Sequence, residues 1–212
     1  MDSHRSRFAE LLARPDVEER VTLRGSVGFM AFHGGNLERM TDEIAEEAAR
    51  RSGASCYSVV QHFPLREHLP STEVRPEHST QLARFLSHVS VAIALHGYGR
   101  NDMWTTVLLG GKNRQLAADL ANRMRTALPE FVFDDDLASI PTDLAGQHRQ
   151  NPVNLPRHAG VQIELPPRIR GLTPHSATMD RTDGRIAWTN TLIDELAAAA
   201  LHHQAIFESA EV

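Results

Sequence analysis

The chain is short of several things. Its 212 residues include one cysteine, Cys56, and one lysine, Lys112. A lone cysteine excludes an internal disulfide framework and is neutral about compartment. Cys56 lies in the apolar run Cys56-Tyr57-Ser58-Val59-Val60, which suits a buried thiol better than a nucleophile. No apolar run approaches the ~20 residues that span a bilayer. Met1-Asp2-Ser3-His4-Arg5 lacks the apolar core of a signal peptide, so a cytoplasmic location is expected. A net charge of -5, with no basic stripe or stacking aromatics, gives no case for nucleic acid or an anionic membrane surface. With lysine nearly missing, the 22 basic residues are almost all arginine, the side chain that binds carboxylates as a fork. A GC-rich coding bias accounts for that preference more simply.

What is present is an alternation of strands and helices. Apolar runs suited to strands fall at 26–32, 56–60, 89–95, 104–109 and 159–165, with a short one at 131–133. Between them, Leu37, Met40, Ile44 and Ala48 form one stripe, as do Leu116, Leu120, Met124 and Leu128, at helical spacing. Further helices are expected over 4–14, near 77–87 and from about 188 to 207. The linker after the first helix, the proline-rich loop 61–72, the polar stretch 134–156 and residues 168–186 are expected to be irregular. The pattern predicts α/β architecture: a single three-layer domain over 1–212, with a mixed, mostly parallel sheet and helices on both faces. At this length such a domain buries about 70% of its unfolded surface.

Three strand ends carry ionisable residues. His33 follows the first strong strand, His96 follows the run 89–95, and Glu164 lies at the end of 159–165; each histidine directly precedes a glycine. Glu38 is expected in the first turn of the helix that follows His33. Ligands gather at the carboxyl ends of strands in open α/β sheets. If these strands are neighbours, two imidazoles and a carboxylate converge there. Two roles are open: an acid–base pair, or a His2Glu metal set with one position left for water, where zinc activates that water and a further carboxylate moves its proton. Each residue also has a plain reading, as a turn histidine, a helix-start carboxylate favoured by the dipole, or an exposed strand residue. Gln162 is expected on the opposite strand face from Glu164, in a structural role.

Several stretches together carry a resemblance. They are His33-Gly34-Gly35-Asn36-Leu37-Glu38 followed by Thr41-Asp42-Glu43-Ile44-Ala45, then His68-Leu69-Pro70-Ser71-Thr72 and Leu95-His96-Gly97. Leu109-Gly110-Gly111, Asn154 with Gly160-Val161-Gln162-Ile163-Glu164-Leu165, and Arg170 complete the order. From about residue 25 to 205 the chain resembles the phage-related poly-gamma-glutamate hydrolase family. That resemblance implies a zinc-carboxypeptidase-like fold and a hydrolase using one Zn2+ ion held by His33, Glu38 and His96. It implies Glu164 as general base and Arg170 as the holder of a substrate carboxylate or developing oxyanion. The substrate would be a carboxylate-rich, peptide-like gamma-glutamyl chain. A deacylase of small N-acyl amino acids and a non-catalytic zinc-binding module are the alternatives. Phe32 departs from the proline usual before the histidine, and is expected to alter the pocket wall. The loop bearing Tyr98, Arg100, Asn101, Asp102 and Trp104, and Arg114, are further candidates for substrate contact.

Overall fold

The computed structural model describes residues 6–210. Its strands are β1 (Val17–Thr22), β2 (Val27–Gly35), β3 (Ser55–Gln61), β4 (Val91–Gly97), β5 (Thr106–Leu109), β6 (Val132–Asp134) and β7 (Gly160–Leu165). Its helices are α1 (Arg7–Leu12), α2 (Thr41–Ser52), α3 (Thr80–His88), α4 (Arg114–Ala127) and α5 (Ala187–Ala210). One sheet takes the strands in the order β1-β3-β2-β4-β7-β5-β6. β3, β2, β4 and β7 run parallel, β1 pairs antiparallel with β3, and β5 pairs antiparallel with β7. This is the mixed, mostly parallel sheet that the alternation predicts.

The central strands are buried on both faces, which is why they read as continuous apolar runs. Alternate residues serve opposite layers. Phe29, Ala31, Ile93, Leu95 and Ile163 pack with Ile44, Leu120 and Leu196 of α2, α4 and α5. Met30, Phe32, Ala92 and Ala94 pack with Phe8 of α1 and with Leu82 and Phe85 of α3. Ile93 is fully buried in the middle of β4. Ile93→Ala is expected to cost about 2–5 kcal/mol, from lost transfer free energy and the cavity left in a close-packed layer. A urea-midpoint measurement checks it; a change within 0.5 kcal/mol, roughly that of a surface substitution, would contradict this packing.

Several sequence expectations change. The linker after α1 contains a strand, β1, whose burial alternates weakly because it lies at the sheet edge. The part of the first predicted helix at residues 4–5 lies outside the described residues. α3 begins only at Thr80, after a short 3-10 turn at Pro76–His78, because Ser79 caps it by accepting from the Leu82 amide. Residues 168–186 include a two-stranded hairpin, β8 (Arg181–Thr182) with β9 (Arg185–Ile186). His33 and His96 lie within β2 and β4, not beyond them. Glu38 precedes α2: Met40, with φ of 76°, turns the chain into a helix that starts at Thr41.

Candidate metal centre

The sheet order makes β2, β4 and β7 consecutive neighbours. His96 and Glu164 stand side by side in the β4–β7 register. The β2–β3 pairing slips between Ala31 and Gly34, around His33. Irregularities of this kind re-aim side chains at functional sites. The turn after His33 needs its second glycine, because Gly35 has φ of 70° and a Cβ there would lie 2.4 Å from the Gln61 carbonyl oxygen. That close approach brings Glu38 back onto its own strand, with the Glu38 amide donating to the His33 carbonyl at 2.9 Å.

His33, Glu38 and His96 are all buried, and each offers one donor atom within 4.8 Å of the others. His33 Nδ1 lies 2.9 Å from Glu38 Oε1, and His96 Nδ1 lies 3.4 Å from Glu38 Oε2. The Gly97 amide donates to Glu38 Oε2 at 2.9 Å. On its other side His33 Nε2 is 2.9 Å from the Leu69 carbonyl, which can only accept. The proton therefore belongs on Nε2, and Nδ1 of a neutral ring turns its lone pair toward a carboxylate. Two lone pairs facing each other require a proton or a cation between them. An outward N–H to a backbone carbonyl is the usual support for a metal-ligating histidine. His96 Nε2 is buried with no hydrogen-bond partner among the described residues. Donor type, convergence and support all suit a cation such as zinc.

Charge in the cluster follows its burial. Burial opposes ionisation of Glu38, but His33 and His96 overturn it and hold the carboxyl well below its usual range. Burial likewise opposes protonation of His96, and Glu38 reverses it, raising the imidazole. Glu164 is relieved only in part: burial pushes it up to about 7 despite the neighbouring His96. A carboxyl near neutrality is suited to take and return a proton at working pH.

These residues line a cavity of about 620 Å³, together with Arg66, His68, Tyr98, Asp143, Gln147, His148 and Gln162. Gln162 does not face away. Residues two apart share a strand face, and its Nε2 donates to Glu164 Oε1 at 2.8 Å while its Oε1 accepts from Asn151 at 2.7 Å. That period-two relation was available in the sequence. His68, quoted only within a motif, brings its ring to 4.7 Å from His33. Phe32 is not a pocket wall: it is buried edge-on against both imidazoles, at 5.0 Å from His33 and 4.7 Å from His96.

The expected arginines are engaged elsewhere. Arg170 is buried beneath Gly97 and donates to the carbonyls of Arg39 at 2.9 Å and Tyr98 at 3.3 Å; it is not among the cavity-lining residues. Arg170 thus stands behind Gly97 and off the cavity wall. There burial lowers its guanidinium to about 10, although Glu38 and Glu164 favour its charge. Arg114 donates to the backbone carbonyls of Gly111 and Leu109 at 3.1 and 3.0 Å, and Arg100 pairs with Asp143. Trp104 is surface, about half exposed. Cys56 is buried, and burial pushes its thiol up, as expected of a structural cysteine.

A family model described as poly-gamma-glutamate hydrolase matches residues 6–192. No curated protein matches the chain. Among solved structures, a bacteriophage poly-gamma-glutamate hydrolase is similar at 19% identity and a TM-score of 0.73, over 90% of this chain and 91% of its own. A zinc-free form of YNDL is similar at 22% identity and a TM-score of 0.68, over 87% and 89%. At these identities the likeness is one of fold.

Proposed function

Because the chain belongs to the poly-gamma-glutamate hydrolase family, and is thus a hydrolase by family, we propose that it is a zinc-dependent enzyme cleaving gamma-glutamyl amide bonds. The observation that carries the reading is the buried His33–Glu38–His96 donor set sharing one cavity with a neutral-range Glu164. His33, Glu38 and His96 would hold the metal. Zinc, when bound, lowers the pKa of water and polarises a carbonyl.

The protein's own groups supply the rest. Glu164 takes the proton of the attacking water on a carboxylate oxygen and returns it to the departing amine nitrogen. Gln162, held by Asn151, fixes the carboxylate through Oε1. The Gly97 amide and the Leu69 carbonyl orient Glu38 and His33, and Phe32 seals the rings from the core side. Arg170 acts as a positioning residue, its charge facing Glu38 and Glu164 from behind Gly97.

Metal analysis of the purified protein, combined with amine release from gamma-glutamyl oligomers and from N-acyl amino acids, tests the proposal. One zinc per chain and turnover of the oligomers are expected. Absence of zinc, or cleavage confined to N-acyl amino acids, would overturn it. The hydrogen bond from Gln162 favours the ionised form of Glu164, so Gln162→Leu should raise that pKa. Since the base must be ionised to act, the acid limb of the pH–rate profile should move to higher pH. The loss should be roughly tenfold on the acid limb, the size of one hydrogen bond to a charged group, and smaller on the alkaline side of it. A profile that scales uniformly at all pH values would count against this role.

A further inference from the structure

The three arginines that the sequence offers as carboxylate partners already hold partners elsewhere: Arg170 and Arg114 backbone carbonyls, and Arg100 the Asp143 carboxylate. The cavity nevertheless carries three carboxylates, Glu38, Asp143 and Glu164, and a gamma-glutamyl substrate adds an α-carboxylate beside each scissile amide. Such a ligand needs a cation in the wall. Among the described lining residues the only arginine or lysine is Arg66. Its side chain is exposed and makes no hydrogen bond or ion pair among the described residues.

The backbone around Arg66 is nonetheless held on both sides. Asn36 Nδ2 donates to the Leu65 carbonyl at 2.9 Å. Gln61 closes a pair of bonds on Glu67, accepting from its amide and donating to its carbonyl, each at 2.7 Å. Two residues on, the Leu69 carbonyl is fixed by His33 Nε2. Asn36 belongs to the turn between His33 and Glu38, and Gln61 ends the neighbouring strand β3, so the loop is tied to the sheet beside the metal donors. A guanidinium fork on a fixed backbone, with its donors unused, is organised in advance for bidentate capture of a carboxylate.

We infer that Arg66 binds the α-carboxylate next to the scissile amide and makes this site selective for acidic gamma-glutamyl chains over neutral ones. The inference rests on the proposed gamma-glutamyl activity, and the test separates the two. Wild type, Arg66→Ala and Arg66→Lys are compared on gamma-glutamyl oligomers and on the same oligomers with their α-carboxylates converted to primary amides. On the acidic oligomer Arg66→Ala should lose about 10- to 100-fold in kcat/KM, chiefly through KM, the size of a charge-assisted pair. Arg66→Lys should recover part of it. On the amidated oligomer wild type and Arg66→Ala should be alike, and the thermal midpoint should not move. An equal loss on both substrates, or no loss on the acid, overturns the inference. If wild type cleaves neither oligomer, the activity reading has failed, and binding decides Arg66 alone. Calorimetry of N-acyl glutamate and its amide with the zinc-loaded protein should show a preference for the acid that Arg66→Ala abolishes. No preference, or no binding of either, overturns it.

Discussion

Glu164→Gln is expected to lower kcat/KM by roughly 10²- to 10⁴-fold while zinc content stays at the wild-type level. Glutamine keeps the shape of the side chain and an oxygen for Gln162 to donate to, but cannot take a proton. Glu164 is not part of the donor set, so the metal should be retained. Stability should move the other way. In the metal-free protein burial raises this carboxyl to about 7, above its ordinary range. A group raised in the folded state contributes stability that is full below its unfolded pKa and is lost as pH rises through the folded value. Wild type is therefore penalised above about pH 7, where a buried charge is forced, and Glu164→Gln is spared. The metal-free variant should be at least as stable as wild type at pH 8, with the gap narrowing toward pH 5. Full activity in the variant on a substrate the wild type cleaves would remove Glu164 from the mechanism. This is the trade expected where a fold carries a destabilised group for chemistry.

His96→Ala should have the second large effect, on the metal itself. It leaves two of the three converging donors, Glu38 and His33. Loss of a group that merely supports a ligand costs 10–100-fold in metal affinity, so loss of the ligand should exceed about 100-fold. Zinc should fall from one per chain to none after dialysis, and turnover should vanish on acidic and amidated substrates alike, unlike Arg66→Ala. Zinc should also raise the thermal midpoint of wild type but not of the variant, because a ligand bound only by the folded state adds about 4.1 kcal/mol at 1,000 times its dissociation constant. Glu38 keeps its bonds to His33 and the Gly97 amide, so the variant should fold. Stoichiometric zinc with turnover in His96→Ala would mean that the donor set is misassigned.

The sequence by itself determined the parallel centre of the sheet. The runs around Phe29, Ile93 and Ile163 are buried on both faces, and a strand in that position has no other way to be written. It also determined that His33, His96 and Glu164 lie toward the carboxyl ends of their strands, because period and length place them there. It could not show β1, where Glu18 and Arg20 at a sheet edge blur the alternation into a polar linker. Nor could it place Glu38, because a left-handed Met40 delays the helix and turns that carboxylate back toward His33. Gln162 was legible, because a period of two puts it on the same strand face as Glu164, where it donates to that carboxylate.

Tertiary structure alone decided which arginines are free. Arg170, Arg114 and Arg66 look alike in sequence, since each follows or precedes a site motif. What separates them is whether backbone carbonyls of other segments come within reach. Arg170 meets Arg39 and Tyr98, Arg114 meets Asp135 besides its near neighbours Leu109 and Gly111, and Arg66 meets none. A guanidinium already holding carbonyls has fewer donors left for a ligand, and whether segments far apart in the chain, such as Arg39 and Tyr98 beside Arg170, come that close is set by packing.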